Sequence, residues 1–140
     1  MPASSRMKTL LSPLWRQMRI DPQLLEESSS YVMEVANGIT LQFEESPTDF
    51  LTLSCLIPMR AEDFTDPVTL NTLLQCNLLG LAHPPVLTAT LPEQQQVLLW
   101  SRQPFSLMEP HQLMALFERF ASQAEKLQQF LAQPSTAEIV

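Results

Sequence analysis

Residues 31–57 read YVMEVANGITLQFEESPTDFLTLSCLI, and the fold turns on this stretch. Tyr31 to Val35 is rich in the aromatic and β-branched residues that suit a pleated strand. Asn37-Gly38 comes next. Between two such runs this pair signals a hairpin, because both residues tolerate positive φ. Ile39, Leu41 and Phe43 then alternate with Thr40, Gln42 and Glu44, which gives a second strand one dry and one wet face. Ser46-Pro47-Thr48-Asp49 interrupts the pattern. Phe50 to Ile57 resumes it, with Leu51, Leu53 and Cys55 on one face and Thr52 and Ser54 on the other. Three consecutive strands of this kind predict an antiparallel meander.

Downstream, Asp66-Pro67 opens a helix. Asp accepts bonds from the free N–H groups, and Pro fits the first helical position. Val68, Leu70, Leu73, Leu74, Asn77 and Leu78 follow, and Gly80 closes the helix in a left-handed cap. His83-Pro84-Pro85 forces an extended connection. Val86 to Leu91 and Val97 to Arg102 read as two more strands, joined by Pro92-Glu93-Gln94-Gln95. A last helix starts near Pro110 and buries Leu113, Leu116, Phe117, Phe120, Ala124, Leu127 and Leu131.

Upstream, Met7, Leu10, Leu11, Leu14, Trp15 and Met18 mark one apolar helix face. Pro13 interrupts it. Either Ser12 caps a new helix with Pro13 at its first position, or one helix kinks there. The order is α-β-β-β-α-β-β-α, an α+β fold in which helices pack on an antiparallel sheet. It is read as a single domain over residues 1–133, with 134–140 a frayed, flexible tail.

Composition narrows the function. The chain has 140 residues and 45% hydrophobic content, enough for one real core. A chain of this size leaves apolar surface uncovered, which a dimer would hide. The net charge of −7 argues against nucleic acid. Arg6, Lys8, Arg16 and Arg19 precede every acid, and the remaining four basic side chains face all 15 acids. A solvated basic first helix is the plainer reading of that asymmetry, a functional basic patch the sharper one. No apolar run is long enough for a membrane span, and no secretory h-region follows the first positive charges. Cys55 and Cys76 form no CxxC pair, which fits a reducing cytosol.

Catalytic motifs are missing from the sequence. Nucleotide, zinc-hydrolase and nucleophile-elbow signatures do not occur. The two glycines, Gly38 and Gly80, are already assigned to a turn and a cap, so none remains for a phosphate cradle. His83 and His111 are the only histidines, too few for a metal site with two scattered cysteines. Cys55 and Cys76 fall on apolar faces, where cysteine is usually inert packing. Glu26-Glu27, Glu44-Glu45 and Glu62-Asp63 sit at element ends and read as solvated. The expectation is a non-enzyme with no cofactor and no metal. Trp15 is either core or an exposed groove anchor; Trp100, alternating with Leu98, reads as core or interface.

Residues 73–81, LLQCNLLGL, resemble the second-helix signature of the Tir-chaperone family, the class I type III secretion chaperones. Residues 97–105, VLLWSRQPF, resemble the family's last strand and exit, and Leu113 through Leu131 its closing helix. The resemblance spans about residues 7–132 and includes the element order. Pro13, and a turn at 91–95 without the glycine often seen there, depart from the pattern and leave local geometry open.

The resemblance implies a cytoplasmic bacterial homodimer. It would bind the N-terminal segment of a secreted effector in extended form, then dock at the export machinery, whose ATPase is a further partner. A chain bound in that way would add to an exposed strand edge and set alternate side chains in apolar pockets, for which the first helix offers Leu11, Leu14 and Trp15 and the first strands Ile39, Leu41 and Phe43. For the dimer contact the resemblance points to Leu70, Leu73, Leu74, Asn77, Leu78 and Val86. Asn77 either fixes dimer register or bonds a nearby backbone group. Two other readings are a chaperone-like protein that binds a secretion regulator, and a small α+β enzyme that would depend on Cys55, Cys76, His83 or His111.

Overall fold

In a computed structural model, residues 3–21, 26, 28–79 and 84–133 are described. Helices α1 (Ala3–Leu10) and α2 (Ser12–Gln17) lead into strands β1 (Ser30–Glu34), β2 (Thr40–Glu45) and β3 (Phe50–Pro58). Helix α3 (Pro67–Leu79), strands β4 (Leu87–Leu91) and β5 (Gln96–Pro104), and helix α4 (Pro110–Ala132) complete the chain. The α+β order expected from the sequence is the one observed. The expected single-domain span of 1–133 takes in every described element, while 134–140 lie outside the described residues.

The break at Pro13 resolves as two helices. Leu11, not Ser12, takes the cap position, and no side chain caps α2. Pro13 sits in the first turn, where its missing N–H costs no helical bond. At its other end α2 closes with Arg19 at φ 59, and Ile20 N–H donates to Trp15 O at 2.8 Å. That is a left-handed cap of the kind glycine usually fills.

The five strands form one antiparallel sheet in the order β1-β2-β3-β5-β4. The first turn works as its Asn-Gly pair requires, with Asn37 at φ 64 and Gly38 at φ 74. The turn between β4 and β5 places Gln95 at φ 52, so glutamine takes the left-handed position without glycine. Strand β5 extends beyond the expected Val97–Arg102 because β3 pairs with it from Phe50↔Pro104 to Pro58↔Gln96.

The buried apolar positions of β2 and β3 face one way. Leu41, Phe43, Leu51, Leu53, Cys55 and Ile57 are buried together with Val97 and Leu99 of β5. Helix α4 lies on this face, and the seven dry positions read from its sequence are its buried residues. Glu109 and Gln112 form a capping box at its start. Met7, Leu10, Leu11, Leu14 and Trp15 of the α1–α2 segment enter the same core. The opposite face of the sheet carries Val32, Leu56, Leu98 and Trp100, of which Val32 and Leu56 are exposed.

Candidate functional site

Helix α3 supplies the most exposed apolar surface. Asp66 caps it as the sequence predicts: its Oδ2 accepts from Thr69 Oγ1 at 2.6 Å and its Oδ1 from Val68 N–H at 3.3 Å. The closing residue read from the sequence, Gly80, lies outside the described residues. Leu73 is buried, and Leu70 packs partly against the core. Val68, Leu74 and Leu78 are 53%, 67% and 69% exposed. Three large aliphatic side chains left open on one short helix are what a partner surface requires.

The residues expected at a dimer contact divide by exposure in the single chain. Leu73 and Val86 are buried. Leu74 and Leu78 are open, and Val68, not among the expected contacts, joins them. Apolar residues lie all round α3, so the sequence could not say which of them turn inward.

Asn77 faces its own chain. Its Oδ1 accepts from Thr88 N–H at 2.7 Å and from Thr88 Oγ1 at 3.1 Å, and Thr88 Oγ1 also lies 3.0 Å from Leu73 O. These bonds fasten α3 to the edge strand β4 and satisfy an edge N–H. Of the two roles open for Asn77, bonding a nearby backbone group is the one observed. Leu70, Leu73, Leu74, Thr88, Ala89 and Thr90 line a groove between helix and strand.

The six residues expected to meet an effector share one core. Leu11, Leu14, Trp15, Ile39, Leu41 and Phe43 are all core residues, each at most 4% exposed. The Trp15 ring meets Tyr31 edge-on at 5.3 Å, and Phe43 lies 6.4 Å from Phe117 of α4. Their side chains are covered by α4, β1 and one another, so in this conformation they line no open pocket. Alternation alone marks which face is dry; it does not say whether a helix or a ligand covers it. Strand β1 is an outer strand of the sheet, and its Val32 is exposed.

The thiols fit packing roles. Burial pushes Cys55 up to about 12 and also raises Cys76, which is half-buried. His111 is exposed with Nδ1 3.4 Å from Glu109 Oε2. His83 lies outside the described residues. Among the described residues no three His, Cys, Asp or Glu side chains cluster as metal ligands, and no helix is long and apolar enough to cross a membrane.

Comparison with known proteins settles the family. The model of the Tir chaperone protein (CesT) family matches residues 9–128. The chain belongs to that family. Solved structures share the fold of this Tir-chaperone family member at low sequence identity. The ExsC–ExsE complex aligns with a TM-score of 0.73 and 13% identity, over 97% of this chain and 99% of the other. The HopA1–SchA chaperone–effector complex gives 0.69 and 14%, over 90% and 95%. The ExoT–SpcS complex from Pseudomonas aeruginosa gives 0.65 and 21%, over 91% and 99%. By sequence, no curated protein matches the chain.

Proposed function

We propose that this protein is a cytoplasmic type III secretion chaperone. It binds the N-terminal segment of a secreted effector in extended form, keeps it competent for export, and catalyses no reaction. Family membership across residues 9–128 is the observation that carries this reading. The complexes with similar folds include a chaperone–effector pair, which supports it.

An extended segment must satisfy its own backbone, and adding to a sheet edge does so. β1 and β4 are the two edges. β4 is fastened to α3 through Thr88, which leaves β1 as the better acceptor strand. The six residues once expected to line the binding site then act as the packed floor beneath that edge. Leu74, Leu78 and Val68 cover themselves against a second copy, because a symmetric contact is self-complementary. Residues 1–133 work as one domain, and the loaded dimer docks at the export apparatus through its ATPase.

Co-expression with a candidate secreted protein, sought first among the genes adjacent to this one, is the test. The effector's N-terminal part should co-purify with the chain and resist protease within the complex. If it neither co-purifies nor gains protection, the reading fails.

A further inference from the structure

Every half-buried arginine but one has a carboxylate partner among the described residues. Arg6 pairs with Glu45 and Asp49, and Arg60 with Asp63. Arg119 pairs with none of them. It sits on α4, half-buried, and its Nη2 donates to Pro84 O. A guanidinium carries five N–H donors and keeps its charge at any ordinary pH, so one carbonyl leaves most of it unused. The residues just before Pro84 are Gly80-Leu81-Ala82-His83 and supply no carboxylate by sequence. In a chain with 15 acids against 8 bases, a partly desolvated arginine without an acid is out of pattern.

The surroundings of Arg119 form a cleft of about 300 Å³ between the first turns of α4 and the end of β5. Strand β5 runs past its last β4 pair, Leu87↔Trp100, through Ser101 to Pro104, and the cleft lies beside this overhang. Gln103, buried, is one polar wall. Gln112 is another: its Oε1 accepts from Glu109 N–H at 2.8 Å, which leaves its –NH₂ as a donor. Leu107, Met108 and Leu116 are the apolar walls, and Leu107 is exposed. The cleft thus offers a planar cation, the Gln112 amide as a donor and an adjoining greasy surface.

We propose that this cleft is a carboxylate subsite for the cargo segment, with Arg119 binding an Asp or Glu side chain of the bound chain. An apolar residue next to that acid lies against Leu107 and Met108. The assignment rests on the chaperone reading given above. Charge complementarity argues for it: a guanidinium takes a carboxylate through two parallel N–H···O bonds, and such bonds strengthen as water is excluded. The cargo class is therefore a segment with an acidic residue flanked by apolar ones.

Two short peptides of one size test the idea: acetyl-Leu-Glu-Leu-amide and acetyl-Leu-Gln-Leu-amide, titrated by NMR into the full chain. The Glu peptide should move the signals of Arg119, Gln103 and Met108 and bind about ten-fold tighter than the Gln peptide. The preference should vanish in Arg119→Gln and survive in part in Arg119→Lys. Because Arg119 also holds Pro84, thermal melting must first show Arg119→Gln folded; if it is not, a weakened preference in Arg119→Lys decides the matter. Equal binding of the two peptides to the wild type overturns the proposal, as does an unchanged preference in Arg119→Gln. Acetate displacing the Glu peptide at equal concentration also overturns it, since the cleft would then be an anion pocket and no peptide subsite. Failure here differs from failure of the chaperone reading, which would show as a wild-type chain that captures no effector.

Discussion

Arg6 and Glu45 stand 39 positions apart and meet at 2.9 Å, guanidinium Nη2 to carboxylate Oε2. The same Nη2 reaches Asp49 Oδ1 at 3.0 Å, Asp49 N–H donates to Glu45 Oε2 at 2.9 Å, and the guanidinium carbon lies 4.5 Å from the centre of the Phe105 ring. One side chain of α1 therefore ties together the end of β2, the following turn and the exit of β5. Through this clasp the helix that buries Met7 and Leu10 is fixed to the sheet.

Arg6→Ala should destabilise the protein well beyond an ordinary surface change. It strands Glu45, whose side chain is only 5% exposed. Breaking a fully buried pair costs more, but Arg6 itself is 36% exposed, so water tempers the loss. The expected cost is about 2 kcal/mol in urea unfolding. Arg6→Ala combined with Glu45→Gln should recover part of it, because no charge is then left stranded. Additive losses in that double variant would show that the two groups do not act together.

The two cysteines should react at different rates. A thiolate is the reactive form, and burial opposes it. Cys55 is buried with its pKa pushed up to about 12, whereas Cys76 is half-buried and raised by the same cause. With an aromatic disulfide reagent at mild alkaline pH, the native protein should release one equivalent slowly, from Cys76. Cys55 should respond only in denaturant. Cys76→Ser should leave the native protein unreactive. Equal rates would mean that β3 is not packed beneath α4.

How much of this was legible depends on what each pattern encodes. Leu41 and Phe43 alternate with polar neighbours, so strand and dry face could be read from them. The seven apolar positions of α4 from Leu113 to Leu131 read from the sequence recur at helical spacing, and all seven are buried. Asp66-Pro67 marks a helix start by local chemistry alone. What neither alternation nor helical spacing encodes is the identity of the covering layer, so the pattern at Leu11, Trp15 and Phe43 does not tell a covering helix from a bound segment. The placement of β5, and not β4, beside β3 is set by contacts distant in sequence. Arg119 gave no sequence signal: an arginine on a helix is usually solvated, and only its depth and lack of an acid mark it out.

Acid should weaken the start of α3 through Asp66. Its carboxyl is held below the usual value chiefly by the hydrogen bond from Thr69, with Val68 N–H adding to it and partial desolvation opposing. A carboxyl depressed in the folded state contributes stability above its unfolded value, about 3.9. That contribution is lost as pH falls through the lower, folded value. Wild type should therefore exceed Asp66→Ala in urea midpoint by more at pH 6 than at pH 2.5. The same gap at both values would mean that the carboxylate charge takes no part in the cap.

Self-association should separate exposed from buried leucines on one helix. Leu74 and Leu78 are open to solvent in the single chain, while Leu73, their immediate neighbour, is core. Leu74→Arg places a charge where a second copy would have to desolvate it, which opposes association strongly. It should leave the fold of each chain intact, because that side chain is 67% exposed in the single chain. Leu73→Ala removes packed atoms and should cost about 2–5 kcal/mol of stability. Sedimentation should thus find Leu74→Arg and Leu78→Asp monomeric with nearly unchanged helical content. Leu73→Ala should melt earlier. A Leu74→Arg protein that still sediments as a dimer would place the contact on another surface, and the helix-free face of the sheet around Leu56 and Trp100 would be the next to test.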